Sequence, residues 1–293
     1  MVVFIAPLWA GELSDYLMQY RNTGTPDYKA EMQLLDEYKL KKLIKELKPF
    51  YLDSMDNIRQ KAFYLTYKKG IQSDATNRSL AVAELVKGCT DKSGGIVGSN
   101  LSFLKEFKPE DFTLNSKINI ELLLTKRHIR HFKKLVLLAG YVNVGNEILN
   151  KMLLSNELPF EKQWYISLAL ARQGDDLRTL YCLQTAKKYT VDNNFVNSMV
   201  PDLLYTRQRS IINYCIDIIK SEDRNCYTSD PDHPQKIRCS FRVLELIAPV
   251  IEDFILKTDG TGGLVTDDYE KSLEIALVWF QNNAQFSIRT STF

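Results

Sequence analysis

Apolar side chains recur at steps of three and four residues along most of the chain, a spacing that predicts amphipathic helices. The clearest case is the 159–189 stretch, where Trp164, Leu168 and Ala171 lie on one apolar stripe. Its Gly-Asp pair at 174–175 suits a helix end followed by a helix cap, and a second apolar face comes after it. We therefore predict two antiparallel helices here, which need neighbours of the same kind to cover their outer apolar edges.

The same periodicity covers the remaining chain and predicts about twelve helices, or roughly six pairs. Long helices are expected at 25–47, 126–140 and 236–256, the last of them kinked at Pro249. The glycine-rich stretch at 93–98 is expected to be a turn, because it is not followed by the Lys-Ser or Lys-Thr of a phosphate-binding loop.

Neither sheets nor separate domains are indicated by the pattern. No alternating run of apolar and polar residues is long enough for a sheet, and no change of composition separates two domains. The predicted fold is therefore all-α, a single α-α superhelix of helix pairs that spans residues 11–284. Residues 285–293 form a polar tail that is expected to fray.

A second stretch, DNIRQKAFYLTYKKG at 56–70, echoes the 159–189 pair. It carries four residues in an order common near the start of one helix of a HEAT repeat: Asp56, Ile58, Arg59 and Ala62. The 159–189 stretch carries the Ala-Leu-Ala run at 169–171 ahead of its Gly-Asp turn. In these features the chain resembles HEAT-type, armadillo-like helical repeats. The resemblance implies an interaction scaffold with a binding surface, and it does not name the ligand.

Composition and charge exclude only a few classes of function. The 293 residues are 45% hydrophobic and 25% charged, as in an ordinary globular protein. The net charge of +2 argues against a surface directed as a whole at polyanions. No apolar run approaches the ~20 residues that a transmembrane helix requires, so no membrane span is predicted.

The first ten residues are mostly apolar and end at Ala10, before an abrupt switch to polar residues. This pattern resembles the rear half of a secretory signal peptide, although the basic start of such a peptide is missing. We expect residues 1–10 to be a signal remnant and the protein to be secreted or periplasmic. The alternative is a buried amino-terminal element in a cytoplasmic protein.

The five cysteines bear on the same question. Cys226 and Cys239 flank a polar loop and could close it as a disulfide in an exported protein. Cys89, Cys182 and Cys215 are expected to act as small hydrophobic residues. The odd total predicts at least one free thiol.

The densest basic cluster is KRHIRHFKK at 126–134. On a helix its apolar residues would face inward and its cations would lie on the other side, where they could contact phosphates. These cations are Lys126, Arg127, Arg130, Lys133 and Lys134. A solvated helix face is the simpler interpretation. His128 and His131 lack an evident third ligand, so no metal is predicted.

No catalytic signature, cofactor motif or metal-ligand spacing is found in the sequence. The acid pairs at 175–176 and 267–268 are expected to cap helices. We therefore predict a non-catalytic scaffold, without a cofactor, that binds a protein partner through its concave face. The alternative is a nucleic-acid-binding helical-repeat protein, extending to a base-excision (DNA glycosylase-like) enzyme, that uses the 126–134 cluster.

Overall fold

The computed structural model describes residues 11–155, 158–228, 235–260 and 263–293 of the chain. Within these residues it contains fifteen α-helices and one short antiparallel ribbon, which confirms the all-α prediction. The signal remnant expected at 1–10 lies outside the described residues. No helix in the described part is long and apolar enough to cross a membrane.

The chain divides into two compact units, Met1–Leu135 and Val136–Phe293. One continuous superhelix over 11–284 therefore stays a prediction. The helices of the first unit are α1 (Glu12–Thr23), α2 (Tyr28–Glu37), α3 (Leu40–Leu47), α4 (Asp56–Ile71), α5 (Ala75–Gly88), α6 (Gly94–Leu104) and α7 (Leu114–Leu124). The boundary between the two units falls within α8 (Phe132–Tyr141).

The central helices of the first unit, α4 and α5, pack on their immediate neighbours and also on the helix after next. α4 packs on α3, α5 and α6, and α5 packs on α3, α6 and α7. Their buried faces come from the apolar stripes, as with Leu43 and Leu47 of α3 and Leu85 of α5. Each helix therefore covers the apolar edges of several others, which burial in water favours.

Three arginine–aspartate ion pairs repeat at nearly constant sequence separation in the first unit. Arg21 binds Asp53, Arg59 binds Asp91, and Arg78 binds Asp111, at separations of 32, 32 and 33 residues. Each arginine lies on a helix, and each aspartate lies in the connection before a later helix. The ion pairs therefore join segments that follow one another along the stack of helices in this unit.

The second unit follows the same packing rule. Its elements beyond α8 are α9 (Asn146–Leu153), α10 (Phe160–Arg172), α11 (Asp176–Ala186), α12 (Val200–Tyr205), α13 (Arg209–Lys220), β1 (Cys226–Tyr227), β2 (Lys236–Ile237), α14 (Cys239–Ile247) and α15 (Tyr269–Asn282). α10 packs on α9, α11 and α12, while α13 packs on α11, α12, α14 and α15. A π-helical turn at Phe195–Met199 leads directly into α12.

The helix pair predicted at 159–189 is confirmed as α10 and α11, which pack on each other. Gly174 has the left-handed φ of 93° that a residue with a side chain rarely adopts. The Asp175 amide donates to the Leu170 carbonyl oxygen at 3.1 Å, and the Asp175 carboxylate accepts from the Arg178 amide at 3.0 Å. The turn therefore ends one helix and caps the next, as the sequence indicated.

The helix predicted at 25–47 is interrupted. α2 ends at Glu37, and Tyr38 takes an extended conformation that turns the chain before α3. The Tyr38 ring is buried, and its hydroxyl donates to Glu46 at 3.0 Å. The break allows the tyrosine and the apolar face of α3 to be buried together, which one continuous helix would not.

The glycine-rich stretch at 93–98 is the start of a helix, so the predicted turn is wrong. α6 begins at Gly94 and includes Gly98. A Cβ at Gly98 would lie 2.7 Å from the ring of His131. This glycine therefore serves close packing on a neighbouring segment rather than a turn.

The helix predicted at 236–256 ends early instead of kinking. α14 ends at Ile247, and a 3-10 turn at Ala248–Val250 follows. Pro249 lacks the amide donor that a continuing helix needs. The chain beyond it pairs with another segment, because Ile251 and Ile288 form an antiparallel bridge.

The same pairing contradicts the expectation that residues 285–293 fray. The Glu252 amide donates to the Ser287 carbonyl oxygen at 3.0 Å, and the Arg289 amide donates to the Val250 carbonyl oxygen at 2.8 Å. The segment is polar in sequence but its main chain is hydrogen-bonded. Composition alone did not show that partners for these amides and carbonyls lie nearby.

Candidate functional site

Most of the basic cluster at 126–134 precedes a helix, and only its last residues lie on one. α7 ends at Leu124, the chain is irregular as far as His131, and α8 begins only at Phe132. His131 has a positive φ of 51°, and its Nε2 lies 2.7 Å from the Gly94 carbonyl oxygen. The prediction of five cations on one helix face is therefore wrong, because Lys126, Arg127 and Arg130 lie in the irregular segment before α8.

Two of the five predicted cations bind the cluster to α6 and to the segment before it. Arg130 donates to the Lys92 carbonyl oxygen at 2.6 Å, and Lys134 donates to Gly98 O at 3.0 Å and Ser102 Oγ at 2.7 Å. Four of the five cations are exposed, Lys126, Arg127, Arg130 and Lys133, and Lys134 is partly buried. Because Arg130 and Lys134 are already hydrogen-bonded, less of the cluster is available to a ligand than the sequence indicates.

A cavity of about 300 Å³ lies beside this basic segment. Its apolar lining consists of Cys89, Val97, Leu101, Leu123, Ile129 and Leu135. Lys92, Lys126 and Arg130 also line it. The cavity therefore combines an apolar floor with cations, a combination that suits a small anion with an apolar part.

The pKa of Lys105, at the end of α6, reflects the positive charge of the 126–134 cluster. Burial, together with the positive charges of Lys134 and Lys133, lowers the pKa of Lys105 to about 8. The neighbouring Glu106 acts in the opposite direction and does not outweigh them. The electrostatic potential here is therefore positive even though the chain as a whole is nearly neutral.

A larger groove, of about 650 Å³, shares residues 90–92 with this cavity as part of its lining. We call it the α4–α5 groove; its lining includes Lys48, Tyr51, Leu52, Phe63, Lys87 and Lys92. Leu52 is 86% exposed there. Tyr51 and Phe63 stack beside it with ring centroids 4.7 Å apart. The groove therefore offers an apolar surface that another molecule could cover.

Gly88, the last residue of α5, allows the wall of this groove to pack closely. A Cβ at this position would lie 2.8 Å from Phe63 and 2.6 Å from the amide nitrogen of the Asn100 side chain. Asn100 is buried and donates to the Ile96 carbonyl oxygen at 2.9 Å. The absence of a side chain at Gly88 is therefore a packing requirement of the groove.

Arg59 and Asp91 form the polar wall of the α4–α5 groove. Two guanidinium nitrogens of Arg59 donate to the two carboxylate oxygens of Asp91 at 2.8 and 2.9 Å. Burial by itself raises the pKa of Asp91, but the hydrogen bonds from Arg59 and from the Ser93 amide outweigh burial and hold this pKa below its ordinary value. A general acid needs a raised pKa, so Asp91 is suited to structural pairing and not to proton donation.

The acidic residues that line the groove form ion pairs, whereas two of its lysines form none within the described part of the chain. Asp53 is bound by Arg21, and Glu84 accepts from Lys87 at 2.8 Å. Lys48 and Lys92 are exposed, and the ion pairs identified among the described residues include neither of them. The groove therefore presents positive charge to a partner at its edge, because its acids are already neutralised.

The cysteines fall into two groups. Cys226 and Cys239 form a disulfide with their Cα atoms 5.0 Å apart, next to the β1–β2 ribbon. Half of the loop between them, residues 229–234, lies outside the described residues. The other three are buried thiols, and burial raises the pKa of Cys182 and of Cys215 to about 12. A thiol with a raised pKa is a poor nucleophile at neutral pH, so these cysteines are structural.

Sequence reasoning missed the α4–α5 groove because its residues come from several elements and share no motif. One signal was present: residues 50–52 are three large apolar residues in a row, of which two are buried and Leu52 is not. Three consecutive apolar residues cannot all point to the same buried face, so one of them is left at the surface. An apolar residue exposed in this way is typical of a functional surface.

Comparison of the chain with family models matches no family, and comparisons with curated proteins and with solved structures give no significant match. The resemblance to HEAT-type repeats therefore stays a prediction.

Proposed function

We propose that the chain is a non-catalytic scaffold that binds a protein segment in the α4–α5 groove. The observation that carries this proposal is the exposure of Leu52 beside the stacked rings of Tyr51 and Phe63. Burying one leucine stabilises a complex by roughly 1.5–3 kcal/mol relative to leaving it in water. A volume of about 650 Å³ accommodates a few side chains of a partner.

Charge indicates the kind of segment that fits. Lys48 and Lys92 line the same groove as the residues that carry the apolar surface. A partner with a large apolar side chain flanked by aspartate or glutamate would cover Leu52 and meet these lysines. Complementary charge of this type increases association rate and selectivity more than it increases affinity.

A helical-repeat architecture of the HEAT type belongs to this proposal. It is supported by the packing of α4 on α6, of α5 on α3 and α7, and of α13 on α11 and α15, and by the three ion pairs at separations of 32 and 33 residues. Stacked helix pairs place successive exposed side chains along one surface, which is how such scaffolds bind extended ligands.

We also propose that the protein is secreted or periplasmic. The Cys226–Cys239 disulfide supports this location, because disulfides persist in oxidising compartments and are rare in the cytosol. A cytoplasmic location is the alternative, and it would leave both thiols reduced. Sequencing of the amino terminus of protein purified from its source cells, together with thiol counting, distinguishes the two.

The binding proposal is tested by selecting peptides from a random library on the full chain. We expect the selected peptides to share a large apolar residue flanked by acids. Leu52→Glu should weaken their binding by at least about tenfold, because it places a charge where an apolar contact is needed. Leu114→Glu is the matched control, since Leu114 is 73% exposed and does not line the groove.

Two results would contradict the proposal. One is a selection that enriches no common pattern. The other is a set of peptides whose binding is weakened equally by Leu52→Glu and Leu114→Glu, since this would indicate a general effect of the added charge.

A nucleic-acid-binding protein is the second candidate function. It is favoured by the exposed Lys126, Arg127 and Lys133 and by the cation-lined cavity of about 300 Å³ beside them. A base-excision activity would in addition need an acid in that cavity. Asp91 lines it, but its bidentate pairing with Arg59 leaves it poorly suited to chemistry.

A further inference from the structure

The last residues of the chain are bound by side chains of the second unit mainly through their main-chain oxygens, and Arg207 also donates to Thr292 Oγ1 at 3.2 Å. Five consecutive carbonyl oxygens, those of residues 289–293, each accept a hydrogen bond from a side chain. Arg172 donates to residues 290 and 292, each at 2.8 Å. Arg207 donates to residues 289 and 293 at 2.9 and 3.1 Å, and the Tyr141 hydroxyl donates to residue 291 at 2.8 Å.

One side chain of this segment is recognised by its shape. The Phe293 ring lies 5.4 Å from the ring of Tyr141 and 5.2 Å from that of Tyr205, measured between centroids. The Arg172 guanidinium lies 5.4 Å from each of these two tyrosine rings. Tyr141, Arg172, Tyr205 and Arg207 therefore form what we call the arginine groove, with an aromatic position at one end.

The backbone at Arg207 is shaped for this contact. Arg207 has a positive φ of 55°, an uncommon conformation for a residue with a long side chain. In this conformation its guanidinium also donates to Leu204 O at 2.5 Å, at the end of α12. Arg207 directly follows Thr206, the C-cap of α12, a position where helices commonly end in a left-handed conformation. The end of α12 therefore places the Arg207 guanidinium against the 289–293 segment.

The resident segment is poorly matched to the groove in charge. It brings Arg289 towards Arg207, although Arg207 already lies near Arg172. Burial first, and then the positive charges of Arg172 and Arg289, lower the pKa of Arg207 to about 10. An acidic side chain at the place of Arg289 would convert this repulsion into attraction while leaving every main-chain hydrogen bond unchanged.

We propose that the arginine groove is a binding site for an extended segment of a partner protein that carries an acid and, four residues later, an aromatic side chain. The chain's own 289–293 segment occupies the groove as a weaker, competing ligand. Binding of the partner releases this segment, so the segment acts as an autoinhibitory strap. The inference concerns the second unit and is independent of the groove proposed for the first.

The test uses two fluorescein-labelled peptides, AQFSIRTSTF, which copies residues 284–293, and the same peptide with Arg289→Glu. The receptor is the full chain with its strap loosened by Arg289→Pro and Phe293→Ala. The proline removes the amide that donates to Val250, and the alanine removes the ring between the two tyrosines. Hydrogen exchange of the amides of residues 287–292 reports release of the strap.

We expect the glutamate peptide to bind the loosened chain about tenfold more tightly than the arginine peptide, with an affinity that falls as salt is added. The unmodified chain should bind the same peptide at least about tenfold more weakly, because its own strap competes. Arg172→Gln in the loosened chain should abolish binding. Arg224→Gln, at an exposed arginine of the same unit, and Leu52→Glu should not change it.

Several results would overturn the proposal. These are no binding of either peptide to the loosened chain, equal binding of the two peptides, or binding that survives Arg172→Gln. A strap that stays protected from exchange in the loosened chain would also overturn it, because the proposal requires a detachable segment. Dimerisation of the unmodified chain that Phe293→Ala abolishes would assign the groove to a second copy instead.

Discussion

Arg59 on α4 and Asp91 before α6 form a bidentate ion pair that is almost completely removed from solvent. The arginine is 2% exposed, and its remaining donors reach Asp56 at 2.8 Å and the Asp53 carbonyl oxygen at 2.8 Å. A buried guanidinium with this many acceptors fixes the positions of the segments that supply them. The pair therefore sets the shape of both cavities that share residues 90–92.

Asp91→Asn is expected to destabilise the protein by about 3 kcal/mol, because it leaves the buried charge of Arg59 without its principal partner. The measurement is the free energy of unfolding by urea at neutral pH. Asp56→Asn is the control: its side chain is 60% exposed, so its loss should cost at most about 1 kcal/mol. Equal losses of unfolding free energy in the two variants would show that the bidentate pair with Asp91 stabilises the protein no more than the exposed contact with Asp56.

The same pair predicts a dependence of stability on pH. The pKa of Asp91 is lower in the folded chain than its ordinary value. Its contribution is therefore present at neutral pH and is lost as the pH falls below about 4, where the unfolded chain takes up the proton first. The difference in unfolding free energy between the unmodified chain and Asp91→Asn should shrink over this acid range. A difference that stays constant down to about pH 2 would contradict the assignment.

Gly88→Ala tests the packing of the α4–α5 groove. The added methyl group would meet Phe63 and Asn100 at distances below 3 Å, so we expect a loss of about 1–3 kcal/mol and a change in the environment of Phe63. Gly94→Ala is the matched control, because nothing lies within 4 Å of its Cβ position at the start of α6. There alanine should be neutral or stabilising by up to about 1 kcal/mol. Urea unfolding and the near-ultraviolet circular dichroism measure the two effects.

The disulfide predicts a definite count of reactive thiols. Alkylation of the unfolded, unreduced chain should label three of the five cysteines, and alkylation after reduction should label all five. In the folded chain, labelling of Cys89, Cys182 and Cys215 should be slow, because all three are buried. The bridge closes a loop with a sequence separation of 13, for which the chain-entropy model gives about 3 kcal/mol of stabilisation. Five labels without reductant would show that Cys226 and Cys239 are not joined.

Sequence periodicity was sufficient for the helical class of the fold and for the 159–189 pair, because burial of an apolar stripe is a local property of a segment. It did not identify where long helices end. Tyr38 interrupts the helix predicted at 25–47, and its hydroxyl binds Glu46, eight residues away. At Pro249 the sequence predicts a kink, but the helix ends and the chain beyond it pairs with the segment at Ile288. Such interruptions depend on tertiary contacts that no local window contains.

The site could be predicted only in part for the same reason. The basic cluster was found by its composition, but its conformation depends on the contact of His131 with Gly94, 37 residues away. The α4–α5 groove and the arginine groove are made by residues that are far apart in sequence, such as Leu52 and Lys92 or Tyr141 and Phe293. Their side chains carry no unusual chemistry, so only the fold makes them recognisable.

Lys105 is predicted to titrate with a pKa of about 8. Because its folded pKa lies below that of an ordinary lysine, its charged form destabilises the native state at neutral pH, and this effect is relieved as the pH rises from about 8 to about 10. NMR of the chain after reductive ¹³C-methylation measures the titration directly, and Lys105→Arg identifies the resonance. Lys133→Gln should raise the pKa, because it removes one of the positive charges that lower it. A titration midpoint near 10.4 in both proteins would contradict the predicted charge cluster.

The exposed basic residues at Lys126, Arg127 and Lys133 allow the nucleic-acid alternative to be tested without damaging the fold. Arg130 and Lys134 are unsuitable for this test, because their hydrogen bonds to Lys92 and Gly98 support the irregular segment itself. If the alternative is correct, the unmodified chain should retard a DNA or RNA duplex at low salt. Replacing the three exposed residues by glutamate should abolish the shift, because each lost phosphate contact also reduces the number of counterions released. The control is Lys41→Glu with Lys45→Glu, two exposed lysines of α3, which should leave the shift almost unchanged. No shift with the unmodified chain at low salt would leave the protein-binding scaffold as the remaining proposal for the first unit.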